Sequence, residues 1–145
     1  MAVRASREVL FDASPEAILD ALADIDEVPT WSNLHRSTEV VDRHPDGRPH
    51  HVKATVKIMG ITDKELLEYH WGDDWMVWDA TETLQQRGQH GEYKLVREGD
   101  RTRVRFDLII DLAAPIPAFL IKRGKKMVLD AAIDRLRCRV TRNHG

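Results

Sequence analysis

Val104, Phe106, Leu108, Ile110 and Leu112 alternate with Arg103, Arg105, Asp107 and Asp111, and only Ile109 breaks the pattern. A period of two is that of a strand with one face on a core and one on solvent. Similar segments precede it: Thr38 to Asp42, Val52 to Ile58, Lys64 to Trp71, Trp75 to Leu84 and Gly91 to Val96. Turn sequences such as His44-Pro45-Asp46-Gly47, Gly72-Asp73-Asp74 and Glu98-Gly99-Asp100 separate them. Connections this short join antiparallel neighbours. The chain is thereby committed to one extended antiparallel sheet whose apolar face needs a cover.

The cover must come from the helical sequence. Val3 to Phe11 reads as a first strand. Ser14 is placed to cap a short helix, with Pro15 at its first position and Ile18, Leu19, Leu22 and Ile25 at helical spacing. A second short helical turn covers Asp26 to Trp31. The only long helical segment runs from Pro115 to about Thr141. In it Ile116, Leu120, Gly124, Met127 and Ala131 share one side, and Val128, Ala132, Leu136 and Val140 form a second, rotated stripe. The stripe drifts near Gly124, so a bend or a junction of two helical pieces is expected there. The expected fold is α+β: a curved antiparallel sheet of about seven strands wrapped on a long C-terminal helix, with two short helices after the first strand.

The 145 residues fit one domain with its own core. Twenty-two basic against 24 acidic residues give a formal charge of −2, which argues against a nucleic-acid binder. The single cysteine, Cys138, forms no intrachain disulfide and fits a reducing, cytoplasmic setting. No apolar run approaches the ~20 residues of a membrane span, and the first residues lack the apolar stretch of a signal peptide.

Four segments carry a resemblance to a known family. They are Ala13-Ser14-Pro15-Glu16 with its helix; Pro29-Thr30-Trp31; Trp78 followed by Gly91-Glu92-Tyr93-Lys94-Leu95 and Thr102-Arg103-Val104; and Pro115 to Leu120 with Ala132-Ile133 and Leu136-Arg137. In this order and spacing the chain resembles the START-like, helix-grip (SRPBCC) superfamily, in its bacterial polyketide cyclase/dehydrase and lipid-transport branch. The resemblance spans nearly the whole chain. It implies a hydrophobic cavity between sheet and terminal helix, where relatives hold lipids, sterols or polyketides. Some relatives catalyse cyclisation or dehydration, others bind or carry. No aromatase/cyclase motif maps onto this chain residue by residue, and Asp42 to Pro49 has a single glycine, Gly47, where plant pathogenesis-related relatives have a glycine-rich loop.

The expected ligand-lining residues are Val56, Ile58, Tyr69, Trp78, Tyr93, Phe106, Leu108, Ile110, Leu120 and Val128, with Trp71 as a further aromatic of the wall. Ligand pockets are mostly apolar with a few placed polar groups. Tyr69 and Tyr93 supply hydroxyls and are the candidate proton donors, and Glu65 and His90 are further acid–base candidates. Tyr93 shares strand parity with Leu95, so Tyr93 is expected inside and His90 outside. Of the seven histidines, none shows the spacing of a zinc protease or a Cys/His cluster, and adjacent His50 and His51 are expected on opposite faces of a strand. No metal or cofactor is expected, and His44 and His144 are expected in solvent. Cys138 is expected at the edge of the packed face.

Lys122, Arg123, Lys125 and Lys126 cluster about Gly124, with Arg135, Arg137, Arg139 and Arg142 beyond. They form a solvated face or a dock for an anionic lipid, a membrane or a carrier protein. Beside them Pro115 to Ile121 can serve as a lid, with Gly124 as a hinge or a packing residue. Two functions follow. One is binding of a small hydrophobic ligand for transport, sequestration or cyclase/dehydrase chemistry. The other is a protein-interaction module that uses the basic helix and has no cavity function.

Overall fold

In the computed structural model residues 1–144 are described, with side chains through residue 141, so Arg142 and His144 lie outside the described side chains. Seven strands make one antiparallel sheet: β1 (Ala2–Phe11), β2 (His35–Arg43), β3 (Pro49–Ile58), β4 (Ile61–Trp71), β5 (Trp75–Thr83), β6 (Gln86–Glu98) and β7 (Arg101–Leu112). Their order is β1-β7-β6-β5-β4-β3-β2. β2 to β7 follow one another as hairpins, and β1 closes the far edge by pairing with β7 from Ala2↔Asp111 to Phe11↔Thr102. The expected alternation of β7 is present, with Val104, Phe106 and Leu108 buried and Ile109 exposed.

Between β1 and β2 come α1 (Pro15–Ala23), a 3-10 turn (Ile25–Glu27) and α2 (Val28–Trp31). Ser14 caps α1 by accepting the Ala17 N–H at 3.1 Å. Ile18, Leu19 and Leu22 are buried on one face of α1. They share a core with Phe11, Leu95, Val104, Ile133, Leu136 and Val140. Thr102, fully buried there, donates its hydroxyl to the Ala13 carbonyl at 2.7 Å and ties β7 to the start of α1.

The terminal helix departs from the expected form. α3 (Ala118–Leu129) runs through Gly124 without a break. The irregularity lies further on, in a π-helical segment over Asp130–Arg135, followed by α4 (Leu136–His144). A wider turn absorbs the drift of the apolar stripe. It lets Leu120, Gly124 and Val128 face the sheet in α3 while Ile133, Leu136 and Val140 face the core further along. α3 contains no fully buried residue, because it covers a cavity rather than a packed core. Cys138 is exposed, not at a packed edge, because α4 turns Leu136 and Val140 inward instead.

β6 begins five residues before the expected Gly91, since the Gln86–His90 stretch carries no apolar alternation. His50 and His51 are also not separated. Register shifts between β2 and β3 at Val40, Asp42 and Arg43 leave His50 without a cross-strand partner. The two imidazoles lie side by side, 4.0 Å between centroids. A bulge resets the parity on which the expectation rested.

Candidate functional site

The packed core occupies one end of the space between sheet and helix. At the other end the wall residues enclose a cavity of about 440 Å³. All ten expected lining residues border it: Val56, Ile58, Tyr69, Trp78, Tyr93, Phe106, Leu108, Ile110, Leu120 and Val128. Trp71 does not. Its indole N–H donates to the Pro49 carbonyl at 2.8 Å, and the Arg48 guanidinium lies over its ring.

One wall is an aromatic ladder across four strands. Tyr69, Trp78, Tyr93 and Phe106 have successive ring centroids 6.1, 6.1 and 5.0 Å apart. Gly91, paired with Trp78 across β5 and β6, makes this possible. A Cβ at Gly91 would sit 2.1 Å from the Trp78 ring, so only glycine lets the indole lie flat on the strand.

The two tyrosines differ. Tyr93 donates its hydroxyl to the Ala132 carbonyl, at 2.8 Å, within the π segment. That hydroxyl is a sheet-to-helix tie. The Tyr69 hydroxyl makes no hydrogen bond to any described residue, although the ring borders the cavity. Burial, and then the neighbouring Glu65 charge, push the Tyr69 pKa up, so it stays a neutral donor. Burial likewise raises that of Tyr93.

Glu65, an acid–base candidate from the sequence, stands in a polar network that sequence reasoning otherwise missed. β5 and β6 pair only as far as Asp79↔His90, and beyond that point the glutamines of β6 fill the opening. Gln86 and Gln89 donate to the Glu65 carboxyl at 3.0 and 3.1 Å. The Trp78 indole N–H donates to Gln89 at 2.8 Å. Asp63 accepts from Gln86 at 2.9 Å, from the Thr83 hydroxyl at 2.6 Å and from the Leu84 amide at 2.8 Å. Burial, and then the Asp63 carboxylate, push the Glu65 pKa up to about 7. A carboxyl near neutrality in an apolar cavity is suited to proton exchange or to donating a hydrogen bond. A signal for these residues existed: Asp63 and Glu65 share strand parity with Leu67 and Tyr69. Gln86 carried no such signal, because a register shift between Gln86 and Gly88 alters the parity of β6.

On the α2 side of the cavity, burial lowers the His35 pKa to about 4, and its Nδ1 lies 2.7 Å from the Ser32 hydroxyl. Trp31 also borders the cavity, and its buried indole N–H has no partner among the described residues. His90 lies outside, between Asp79 at 2.7 Å and Glu92 at 3.3 Å. His44 is half-buried rather than free in solvent, with Nε2 2.7 Å from the Tyr69 carbonyl oxygen.

The rim is formed by Ile58, Met59 and Ile61 at the β3–β4 turn and by Ile116, Leu120, Ile121 and Gly124. Met59 holds φ at 50° beside Gly60 at 81°, the two positive values a two-residue hairpin turn requires. The Met59 methyl reaches to 3.2 Å from where a Gly124 Cβ would be, so Gly124 makes room for the turn against the helix. On the solvent side Lys122, Arg123 and Lys126 are exposed and Lys125 is half-buried. None of the four forms an ion pair with a described residue, whereas Arg135 pairs with Asp130 and Arg139 with Glu27. No described helix is long and apolar enough to cross a membrane.

Known structures share this architecture. A START superfamily protein from Mycobacterium smegmatis is 22% identical, with a TM-score of 0.85 over 96% of this chain and 97% of that one. A protein from Thermus thermophilus is 24% identical, with a TM-score of 0.80 over the whole of both chains. An aromatase/cyclase from Streptomyces sp. R1128 is 11% identical, with a TM-score of 0.82 over 100% of this chain and 97% of that one. These likenesses establish the helix-grip fold. No curated protein matches the sequence. The family described as polyketide cyclase / dehydrase and lipid transport matches residues 2–141. The chain therefore belongs to that family and shares the fold of the START superfamily structure.

Proposed function

We propose that the chain works as one cytoplasmic ligand-binding domain that carries or sequesters a small amphipathic molecule, lipid or polyketide-like, in the cavity between sheet and helix. The observation that carries this reading is the Tyr69 hydroxyl, without a partner among the described residues, beside the Glu65–Gln86–Gln89 network in a mainly apolar space of about 440 Å³. That volume is in the range of ligand sites, which begins at about 300 Å³. A ligand bearing one polar group at that end, met by the Tyr69 hydroxyl, and an apolar body along Leu108, Ile110, Leu120 and Val128 fits the distribution of polar and apolar groups on the wall.

Carriage fits better than turnover. Tyr93, a candidate proton donor, is tied to Ala132. In an enzymatic role, Glu65 supplies the proton exchange and Tyr69 the orienting hydrogen bond, and the reaction is a cyclisation or dehydration. The unpaired cluster of Lys122, Arg123, Lys125 and Lys126 beside the rim supports transient contact with an anionic membrane or carrier protein during loading. The same cluster is what favours the second reading, a protein-interaction module, but that reading gives the cavity no role.

Titration with 1-aminoanthracene, a neutral tricyclic fluorophore with one amine, tests the proposal. Saturable binding of one probe per chain is expected, weakened at least ~10-fold in Val128→Trp, which fills the cavity. Unsaturable binding, or equal affinity in that variant, would count against a cavity site.

A further inference from the structure

The outer end of the β2–β4 hairpins holds a cluster that the cavity reading does not use. His44, His50, His51 and His70 meet there with Asp42 and Glu68. The His44 and His50 rings are 4.2 Å apart, and those of His50 and His70 5.5 Å.

The nitrogens converge on carboxylates. His51 Nδ1 lies 2.9 Å and His50 Nδ1 3.6 Å from the same oxygen, Asp42 Oδ1. His51 Nε2 is 3.4 Å from Glu68, and His70 Nε2 is 2.8 Å from it. In each of two triads, Asp42–His50–His51 and His50–Glu68–His70, the ligand atoms all lie within 4.8 Å of one another. A tetrahedral zinc with bonds of about 2.1 Å needs ligand atoms ~3.4 Å apart, so small side-chain movements suffice. The bulge at His50 creates this arrangement, because a regular strand would send one of the two adjacent imidazoles to the far face. The cluster lies at the Pro49 end of β3, away from the rim residues Ile58 and Met59.

We infer that Asp42, His50 and His51 bind one divalent transition cation of the zinc type, with Glu68 and His70 beside it as outer partners. Two imidazoles and one carboxylate form a donor set for zinc, copper or nickel rather than for calcium or magnesium, which prefer all-oxygen shells. Three protein ligands leave a coordination position to solvent.

The test is calorimetric titration of the full chain with zinc chloride, with magnesium chloride as the hard-cation control. Expected are one zinc per chain and no magnesium heat. His50→Ala and His51→Ala should each weaken zinc at least ~100-fold, and His70→Ala about 10-fold, the low end of what an outer partner contributes. Circular dichroism should be unchanged, since these side chains are only partly buried. Absence of saturable zinc binding overturns the inference. So does full affinity in His50→Ala, which would place the metal on other histidines. Full affinity in His51→Ala with loss in His70→Ala overturns the ligand assignment in favour of the second triad.

Discussion

The two cavity tyrosines look alike in the sequence and are opposites in chemistry. Tyr93→Phe leaves the Ala132 carbonyl without its partner, and we expect a stability loss of about 1–3 kcal/mol with little change in ligand affinity. Tyr69→Phe removes no hydrogen bond to the protein, so its thermal midpoint should match the parent. Its affinity for 1-aminoanthracene should fall roughly 3- to 10-fold, the worth of one hydrogen bond. Denaturant titration beside a binding isotherm separates the two, and the opposite pattern would reverse the assigned roles. Glu65 carries a pH signature. Its carboxyl is more basic in the folded chain, about 7, than its ordinary 4.5. Between those values the folded state holds the extra proton, so this contribution to stability is complete below about 4.5 and disappears as pH rises through about 7. Stability of the parent minus that of Glu65→Gln should therefore fall across that window, and a flat difference would show an unperturbed carboxyl. His35, with its lowered pKa, acts in the opposite sense and loses stability as pH falls from 6.5 towards 4.

At the scale of elements, strand periodicity located every strand and set the eight expected wall residues carried by strands on the cavity side, because a period of two is a direct consequence of backbone geometry. It failed where the geometry is irregular. Bulges at His50 and near Gln86 reset the parity, which hid both the histidine cluster and the glutamine network. The helix shows the same limit: the drift of its stripe was legible, but the junction falls at Asp130–Arg135 instead of Gly124. Two glycine substitutions check the elements. Gly91→Ala drives a methyl into the Trp78 ring and should cost about 1–3 kcal/mol and shift the tryptophan emission. Gly124→Ala meets only the flexible end of Met59 and gains helix propensity, so stability should rise by up to ~1 kcal/mol. Ligand on- and off-rates unaltered in Gly124→Ala would confirm packing, and slowed rates would restore the hinge.

For the whole molecule, seven strands and a single long helical segment made the architecture legible, and a resemblance along nearly the whole chain pointed to the same fold. The shape of the cavity was not legible. It depends on how far the sheet curls and on α3 standing off the sheet with no fully buried residue, and neither is written in side-chain identity. Selection by apolar walls is selection by shape, which is why ligand class follows from the structure more readily than ligand identity. On the proposed function, the cavity holds an amphipathic small molecule in the living cell. Native mass spectrometry of the chain purified from its own host is the direct measurement. We predict one apolar adduct per chain, released on denaturation and absent from Val128→Trp. A bare polypeptide mass, unchanged after incubation with the host's total lipid extract, would show that the cavity carries no such ligand.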